Sequence, residues 1–145
     1  MNIYADNAAT TKMSRTAIEA MLPYFDNIYG NPSSLHTVGQ KAKEALESAR
    51  ETIADCINCS PKEIYFTSGG SEADNQAIIS AAKIGERKGK KHIISTAFEH
   101  HAVLHTLEKL KKQGFDVELL DVGKNGNISA EQVANAIRED TCLVT

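Results

Sequence analysis

From Pro61 onward the chain alternates short apolar runs with amphipathic helical stretches, and this alternation limits the fold more than any other feature. Ile64-Tyr65-Phe66-Thr67, His92-Ile93-Ile94-Ser95-Thr96, Val117-Glu118-Leu119-Leu120 and Cys142-Leu143-Val144-Thr145 read as strands. Between them, Ala73, Ala77, Ile78, Ala81 and Ile84 predict one helix face, and Val103, Leu104, Leu107 and Leu110 a second. Ser129 with Gln132 forms a capping box that opens a third, carrying Val133, Ala136 and Ile137. Gly114 suits the end of the second helix. Strands separated by helices pair in parallel through right-handed crossovers. The expected class is therefore α/β, a three-layer domain with a mostly parallel sheet.

The first sixty residues are helical in pattern. Ser14 is placed to cap a helix with Ile18, Met21, Leu22 and Phe25 on one side, which Pro23 shortens or kinks. A loop rich in Asn, Gly, Pro and Ser follows over 26–34. Val38, Ala42, Ala45, Leu46, Ala49 and Ile53 then predict a long helix over about Thr37 to Ile57 with one apolar stripe. The last strand runs to Thr145 without a following turn, so the chain is expected to be the N-terminal part of a longer protein.

Composition excludes several function classes. With 41% hydrophobic and 24% charged residues, the chain suits a soluble globular protein. A net charge of −3 argues against general nucleic-acid binding. The basic cluster Arg87, Lys88, Lys90 and Lys91 reads as a solvated helix end, where cations favour the helix dipole. The polar N-terminus lacks the hydrophobic region of a signal peptide, and no apolar run is long enough to cross a bilayer. A cytoplasmic location and free thiols at Cys56, Cys59 and Cys142 are expected. The Asn58 and Asn127 glycosylation patterns carry no meaning without secretion.

Two segments point to chemistry. Phe66-Thr67-Ser68-Gly69-Gly70-Ser71-Glu72 is a strand-like run, a glycine turn and a helix start. Free N–H groups and the positive dipole end make such a start a phosphate site, glycines admit close approach, and Ser71 adds a hydroxyl. Glu72 and Asp74 oppose a phosphate unless they point away. Ser71 with Asp74 is also an ordinary capping pattern. Neither a Walker loop nor a G-x-G-x-x-G fingerprint is present. Glu99-His100-His101 follows the second expected strand. Ligands of open parallel sheets bind beyond the carboxyl ends of strands, so the glycine turn and His100 are expected to face one crevice. An imidazole there stacks on a flat ring or moves protons, although for a lone histidine a surface helix cap is the preferred reading.

Other patterns are set aside. Cys56-Ile57-Asn58-Cys59 lacks the second pair of a zinc site and ends a helix instead of following a strand. His101 and His105 lie four apart on a helix face without the glutamate of a zincin. Asp121 to Gln132 has Gly123 at a ligand position of a calcium loop and Gln132 where a bidentate Glu belongs, so a tight turn at Lys124-Asn125-Gly126 is preferred. No metal site is expected.

Four segments in order resemble the cysteine desulfurases of the class V aminotransferase group, which have the type I pyridoxal-phosphate fold. Tyr4-Ala5-Asp6-Asn7-Ala8-Ala9-Thr10-Thr11 is similar to that family's N-terminal signature. Gly30-Asn31-Pro32-Ser33-Ser34, with His36 and Gly39, is similar to its next motif. Phe66 to Asn75 resembles its phosphate-binding turn and helix, and Glu99-His100 with Ala102-Val103 its ring-stacking histidine segment.

The resemblance implies a partial large domain of a pyridoxal-phosphate-dependent transferase over 1–145, in which 1–13 is an extended segment that packs on a C-terminal small domain. It implies that Gly70 and Ser71 hold the phosphate of pyridoxal 5'-phosphate and that His100 stacks on its ring and shuttles protons. Asn7, Ala8, Thr10, Asn31 and His36 would border the substrate side. The implied reaction removes sulfur from L-cysteine to give alanine and an enzyme persulfide for iron–sulfur cluster assembly. A homodimer and a scaffold or sulfur-acceptor protein are the implied partners. The family's Ser-x-His-Lys lysine, its cofactor-pairing aspartate and its loop cysteine have no counterpart here, so covalent attachment of the cofactor at the family position is not possible within 1–145 and the chain alone is expected to be inactive. A related class V aminotransferase, a selenocysteine lyase and a non-catalytic chain acting through protein pairing are the alternatives. Exposed apolar surface and marginal stability are also expected.

Overall fold

A computed structural model describes residues 3–145, and Met1 and Asn2 of the expected extended segment lie outside it. The chain divides into two compact units, 1–65 and 66–145.

In the first unit, residues 3–13 form neither helix nor strand, and a turn closed by the Ala9 N–H to the Asp6 carbonyl oxygen interrupts them. Helix α1 (Arg15–Met21) opens at Ser14, whose hydroxyl accepts from the Ala17 N–H at 3.1 Å. Pro23 ends it as expected and occupies the first turn of α2 (Pro23–Asp26), where its missing N–H costs nothing. Helix α3 spans Thr37–Ile57, the predicted range. Its C-cap Asn58 adopts a left-handed φ of 55° and the Cys59 N–H returns to the Ala54 carbonyl oxygen. A 3-10 turn (Pro61–Glu63) follows, closed by a Ser60–Glu63 capping box, and the Arg50 guanidinium donates to the Ile64 carbonyl oxygen.

The apolar stripe of α3 is largely open, in line with the exposed apolar surface expected of the chain. Only Gly39 and Ala54 are buried along the helix, while Val38, Leu46 and Ile53 are exposed. Periodicity fixes which residues share a face, but burial needs a covering element, and among the described residues of this unit only the 3-10 turn packs substantially on α3.

The second unit holds a three-stranded parallel sheet. Its elements are α4 (Gly70–Arg87), β1 (His92–Thr96), α5 (His101–Lys112), β2 (Asp116–Leu120), α6 (Ala130–Ala136) and β3 (Thr141–Val144), with strand order β2-β1-β3. Ile93 pairs with Val117 on one side and Leu143 on the other. The connection through α5 moves outward to β2 and that through α6 moves back past β1 to β3. Right-handed crossovers in opposite directions would send those two helices to opposite faces. Among the described residues α4 packs on α5 and β3 and α5 on β2, whereas α6 packs substantially on no other element. The core on the α4–α5 face comprises Ile78, Ala82, Ile93, Val103, Leu107, Leu110 and Phe115.

Two expectations change here. Ile64 to Thr67 is not a strand: Ile64 has extended dihedrals, yet the segment joins no ladder, and Tyr65 and Phe66 are exposed. A strand requires a hydrogen-bonded neighbour, which local composition cannot supply. The buried face of α4 is Ile78, Ala82 and Gly85, whereas Ala73, Ala77 and Ile84 are exposed. Small residues let α4 press on β3. A Cβ at Gly85 would stand 2.3 Å from the Cys142 Cβ and 3.1 Å from the Lys90 carbonyl oxygen. Cys142 is the extra residue of a β-bulge, since His92 pairs with Thr141 and Ile93 with Leu143.

Both α4 and α5 end in a Schellman closure. Gly89 (φ 72°) and Gly114 (φ 90°) take the left-handed position, with the Lys90 N–H returning to the Gly85 carbonyl oxygen and the Phe115 N–H to that of Leu110. A polar chain crosses the sheet beneath them. The buried His92 lies 2.8 Å by Nδ1 from the Thr141 hydroxyl and 3.3 Å by Nε2 from a Glu118 carboxylate oxygen. Thr141 Oγ1 accepts from the Arg138 N–H at 2.8 Å. One assignment satisfies every group: Thr141 O–H donates to His92 Nδ1, and His92 Nε2–H donates to Glu118.

Candidate functional site

The glycine turn delivers the chain into α4 with Gly69 as N-cap. The first intrahelical bond runs from the Ala73 N–H to the Gly69 carbonyl oxygen. The N–H groups of Gly70, Ser71 and Glu72 therefore stand outside the helical ladder, at the positive end of the helix. Nothing lies within 4 Å of where a Cβ would sit on Gly69 or Gly70, so the backbone there is open to close approach.

Glu72 is drawn to the loop. Its carboxylate accepts from the Ser68 N–H at 2.7 Å and the Ser68 hydroxyl at 2.6 Å, and these bonds hold its carboxyl below the usual range. The capping role read for Ser71 with Asp74 is not realised, because the N-cap is Gly69 and carries no side-chain bond.

At the carboxyl end of β1, the turn over 97–99 leads to His100, the N-cap of α5. Its Nδ1 accepts from the Ala102 N–H at 3.1 Å. The imidazole making that bond is neutral and carries its proton on Nε2. The helix-cap reading and the ring-presenting reading of His100 are thus compatible, since capping fixes the ring through one nitrogen and leaves the other.

These two helix starts share an open groove of about 420 Å³, lined by Ser71, Asn75, His100, His101, His105 and Thr106 among others. Glu72 and Asp74 are not among its lining residues. A clamp joins the helices: Asn75 Nδ2 donates to the Ser71 carbonyl oxygen at 2.6 Å, and the buried Thr106 hydroxyl faces both Asn75 Oδ1 and the Ala102 carbonyl oxygen. Neither Asn75 nor Thr106 was singled out individually by sequence reasoning. Polar residues inside helices carry no local signal, and only their mutual contact reveals them.

The remaining candidates belong to the first unit. Asn7, Ala8 and Thr10 are exposed around the 7–9 turn. Asn31 Oδ1 accepts from the Ser33 N–H at 2.9 Å, and His36 caps α3 with its Nδ1 accepting from the Gly39 N–H at 3.2 Å. Gly39 is required there, because a Cβ would meet Ser34 and Asn31 atoms at 2.6–2.7 Å.

The three cysteines are free, and burial pushes the Cys142 thiol up, away from thiolate chemistry. Among the described residues no group of three or more His, Cys, Asp or Glu side chains is arranged to hold a metal, and no helix is long and apolar enough to cross a membrane.

The donor set suits an anion joined to a flat ring: free N–H groups and a hydroxyl at one helix start, an imidazole at the other, and open glycine backbone. Known proteins share this arrangement of elements. The chain is 50% identical over 99% of its length to the "Putative cysteine desulfurase IscS 1" of Bacillus subtilis (strain 168), of which it spans 38%. A solved "NifS-like protein" superposes with a TM-score of 0.92 at 38% identity, covering 99% of this chain and 39% of that one. A structure described as "SspA in complex with cysteine" does so at 0.83 and 40% identity, covering 94% of this chain and 39% of that one. The chain thus spans little more than a third of the relatives it matches. Residues 3–145 fit the family described as "Aminotransferase class-V", and with nearly every residue inside that match the chain belongs to this family.

Proposed function

We propose that the complete protein is a pyridoxal-phosphate-dependent cysteine desulfurase, removing sulfur from L-cysteine to leave alanine and an enzyme persulfide. The observation that carries this reading is the groove in which Ser71, at the start of α4, meets His100, at the start of α5. The name of the B. subtilis relative and the cysteine bound to the SspA neighbour support the substrate.

In this reading the N–H groups of Gly70 and Ser71 and the Ser71 hydroxyl hold the cofactor phosphate. His100 would lie against the ring, oriented through Nδ1 by its bond from the Ala102 N–H and with its proton on Nε2. Shuttling a proton would require Nδ1 to give up that bond and be protonated in turn. Asn75 and Thr106 position Ser71 relative to His100. When bound, pyridoxal phosphate supplies the electron sink that chemistry on an amino acid requires. Asn7, Ala8, Thr10, Asn31 and His36 border the substrate side, and residues 1–13 pack on a C-terminal small domain. The proposal extends to a cytoplasmic homodimer that passes sulfur to an iron–sulfur scaffold or another acceptor protein.

The test is cysteine turnover by the complete protein loaded with pyridoxal phosphate. With excess dithiothreitol present to reduce the enzyme persulfide, sulfide and alanine should appear in equal amounts, and the 145-residue chain alone should form neither. Amino transfer to a keto acid without sulfide release would replace this reading with a class V aminotransferase.

A further inference from the structure

The groove contains a histidine pair that the proposed chemistry leaves unused. His101 and His105 stand one turn apart on α5, both exposed, with ring centroids 5.4 Å apart. With metal–nitrogen bonds of about 2.05 Å and a ring radius of about 1.15 Å, two imidazoles on a tetrahedral ion have centroids about 5.2 Å apart. The same bonds at a square-planar or octahedral right angle bring the centroids to about 4.5 Å. The observed spacing is close to the tetrahedral case. The rings stand near-parallel, 30° apart, so ligation requires each exposed ring to turn about χ2, which moves its centroid little and costs little.

We propose that His101 and His105 form a two-imidazole clip for a zinc-class divalent ion. The ligands are one nitrogen from each neutral ring, and the two remaining positions are open to water or a ligand from solution, one more than in zinc sites with three protein ligands and a single exchangeable position. The helix supplies the preorganisation, because residues four apart already face each other. His100 is not a ligand in this arrangement: its Nδ1 is committed to the Ala102 N–H, and its ring lies 6.3 Å from that of His101. Lys109, one turn further along the groove, opposes a cation electrostatically and contributes no lone pair while protonated.

Zinc titration calorimetry on the chain tests this, with Cys56→Ser and Cys59→Ser introduced so that thiols do not compete. One ion per chain is expected. His101→Gln and His105→Gln should each weaken binding roughly tenfold or more, and the double variant should abolish it. Circular dichroism checks that the variants fold, and backbone amide shifts should move on zinc addition chiefly over 99–109. Any smaller loss in either single variant, zinc binding retained by the double variant, or shifts centred elsewhere would overturn the clip.

Discussion

Replacing Gly85 with alanine tests the packing of α4 on β3, because two effects of opposite sign compete there. Alanine favours a helix over glycine by about 1 kcal/mol, so propensity alone predicts a more stable protein. The new Cβ, however, would lie 2.3 Å from the Cys142 Cβ and 2.8 Å from its Sγ. Carbon atoms rest at about 3.5–4.0 Å, so the overlap exceeds about 1 Å. Both atoms of the closest pair hang directly on backbone, and neither can swing away. Relief requires α4 and β3 to separate, and overpacking of this kind costs about 3 kcal/mol or more at the upper end of its range. The net expectation is a loss of about 2 kcal/mol. For a unit of this size that corresponds to a fall in Tm of roughly 8–16 °C. Thermal and urea unfolding followed by circular dichroism measure it. A double-mutant cycle adds the specific readout. Cys142→Gly removes the clashing Cβ and should recover much of the Gly85→Ala loss, whereas Cys142→Ala keeps that atom and should recover little. A Gly85→Ala variant as stable as the parent would refute the reasoning and leave propensity in control.

Other outcomes follow from the same structure. Thr141→Val keeps the shape of the side chain but leaves the Arg138 N–H and His92 Nδ1 without their partner, so it should cost about 1–3 kcal/mol in urea unfolding. The Asp116 carboxyl is held below its ordinary range chiefly by its hydrogen bond from Arg138, and Glu86 by Lys91 and Lys83. A depressed folded pKa contributes stability above the ordinary carboxylate range and loses it as pH falls through the folded value. Stability should therefore decline below about pH 4, and Asp116→Asn should make that decline shallower. Thr106→Val should weaken pyridoxal-phosphate affinity in the complete protein about tenfold by freeing Asn75, with spectrophotometric titration as the check. The Cys142 thiol, pushed up by burial, should react with iodoacetamide more slowly than the exposed Cys56, as mass spectrometry of timed samples would show.

How far the chain could be read in advance depended on whether a feature was local. Helix α3 was legible from end to end, because its stripe is periodic and Pro61 marks the change of pattern that follows it. The Ser129–Gln132 box opens α6 as read, and Gly114 closes α5, because capping is settled within one turn. The strand read at Ile64 to Thr67 failed since a ladder is a property of two segments. The buried face of α4 was misassigned for a related reason: Gly85 has no apolar side chain to announce burial, and its importance lies in what approaches it. The site divides the same way. Ser71 and His100 stand at element boundaries marked by glycines and by a strand end, so their segments were visible. The Asn75–Thr106 clamp joins residues 31 apart in sequence and was not.

The two Schellman closures give the sheet unequal ends. Where the chain leaves a helix and enters β1 or β2, one left-handed glycine and a few fixed hydrogen bonds complete the connection, leaving no slack. At the opposite end it runs through the longer segments 97–100 and 121–129. An inserted residue beside Gly89 or Gly114 would have to break a hydrogen-bonded ring, whereas one beyond β1 or β2 would only lengthen a loop. Length changes should therefore be tolerated beyond the carboxyl ends of β1 and β2, at the end of the sheet where His100 stands, and resisted at the opposite end.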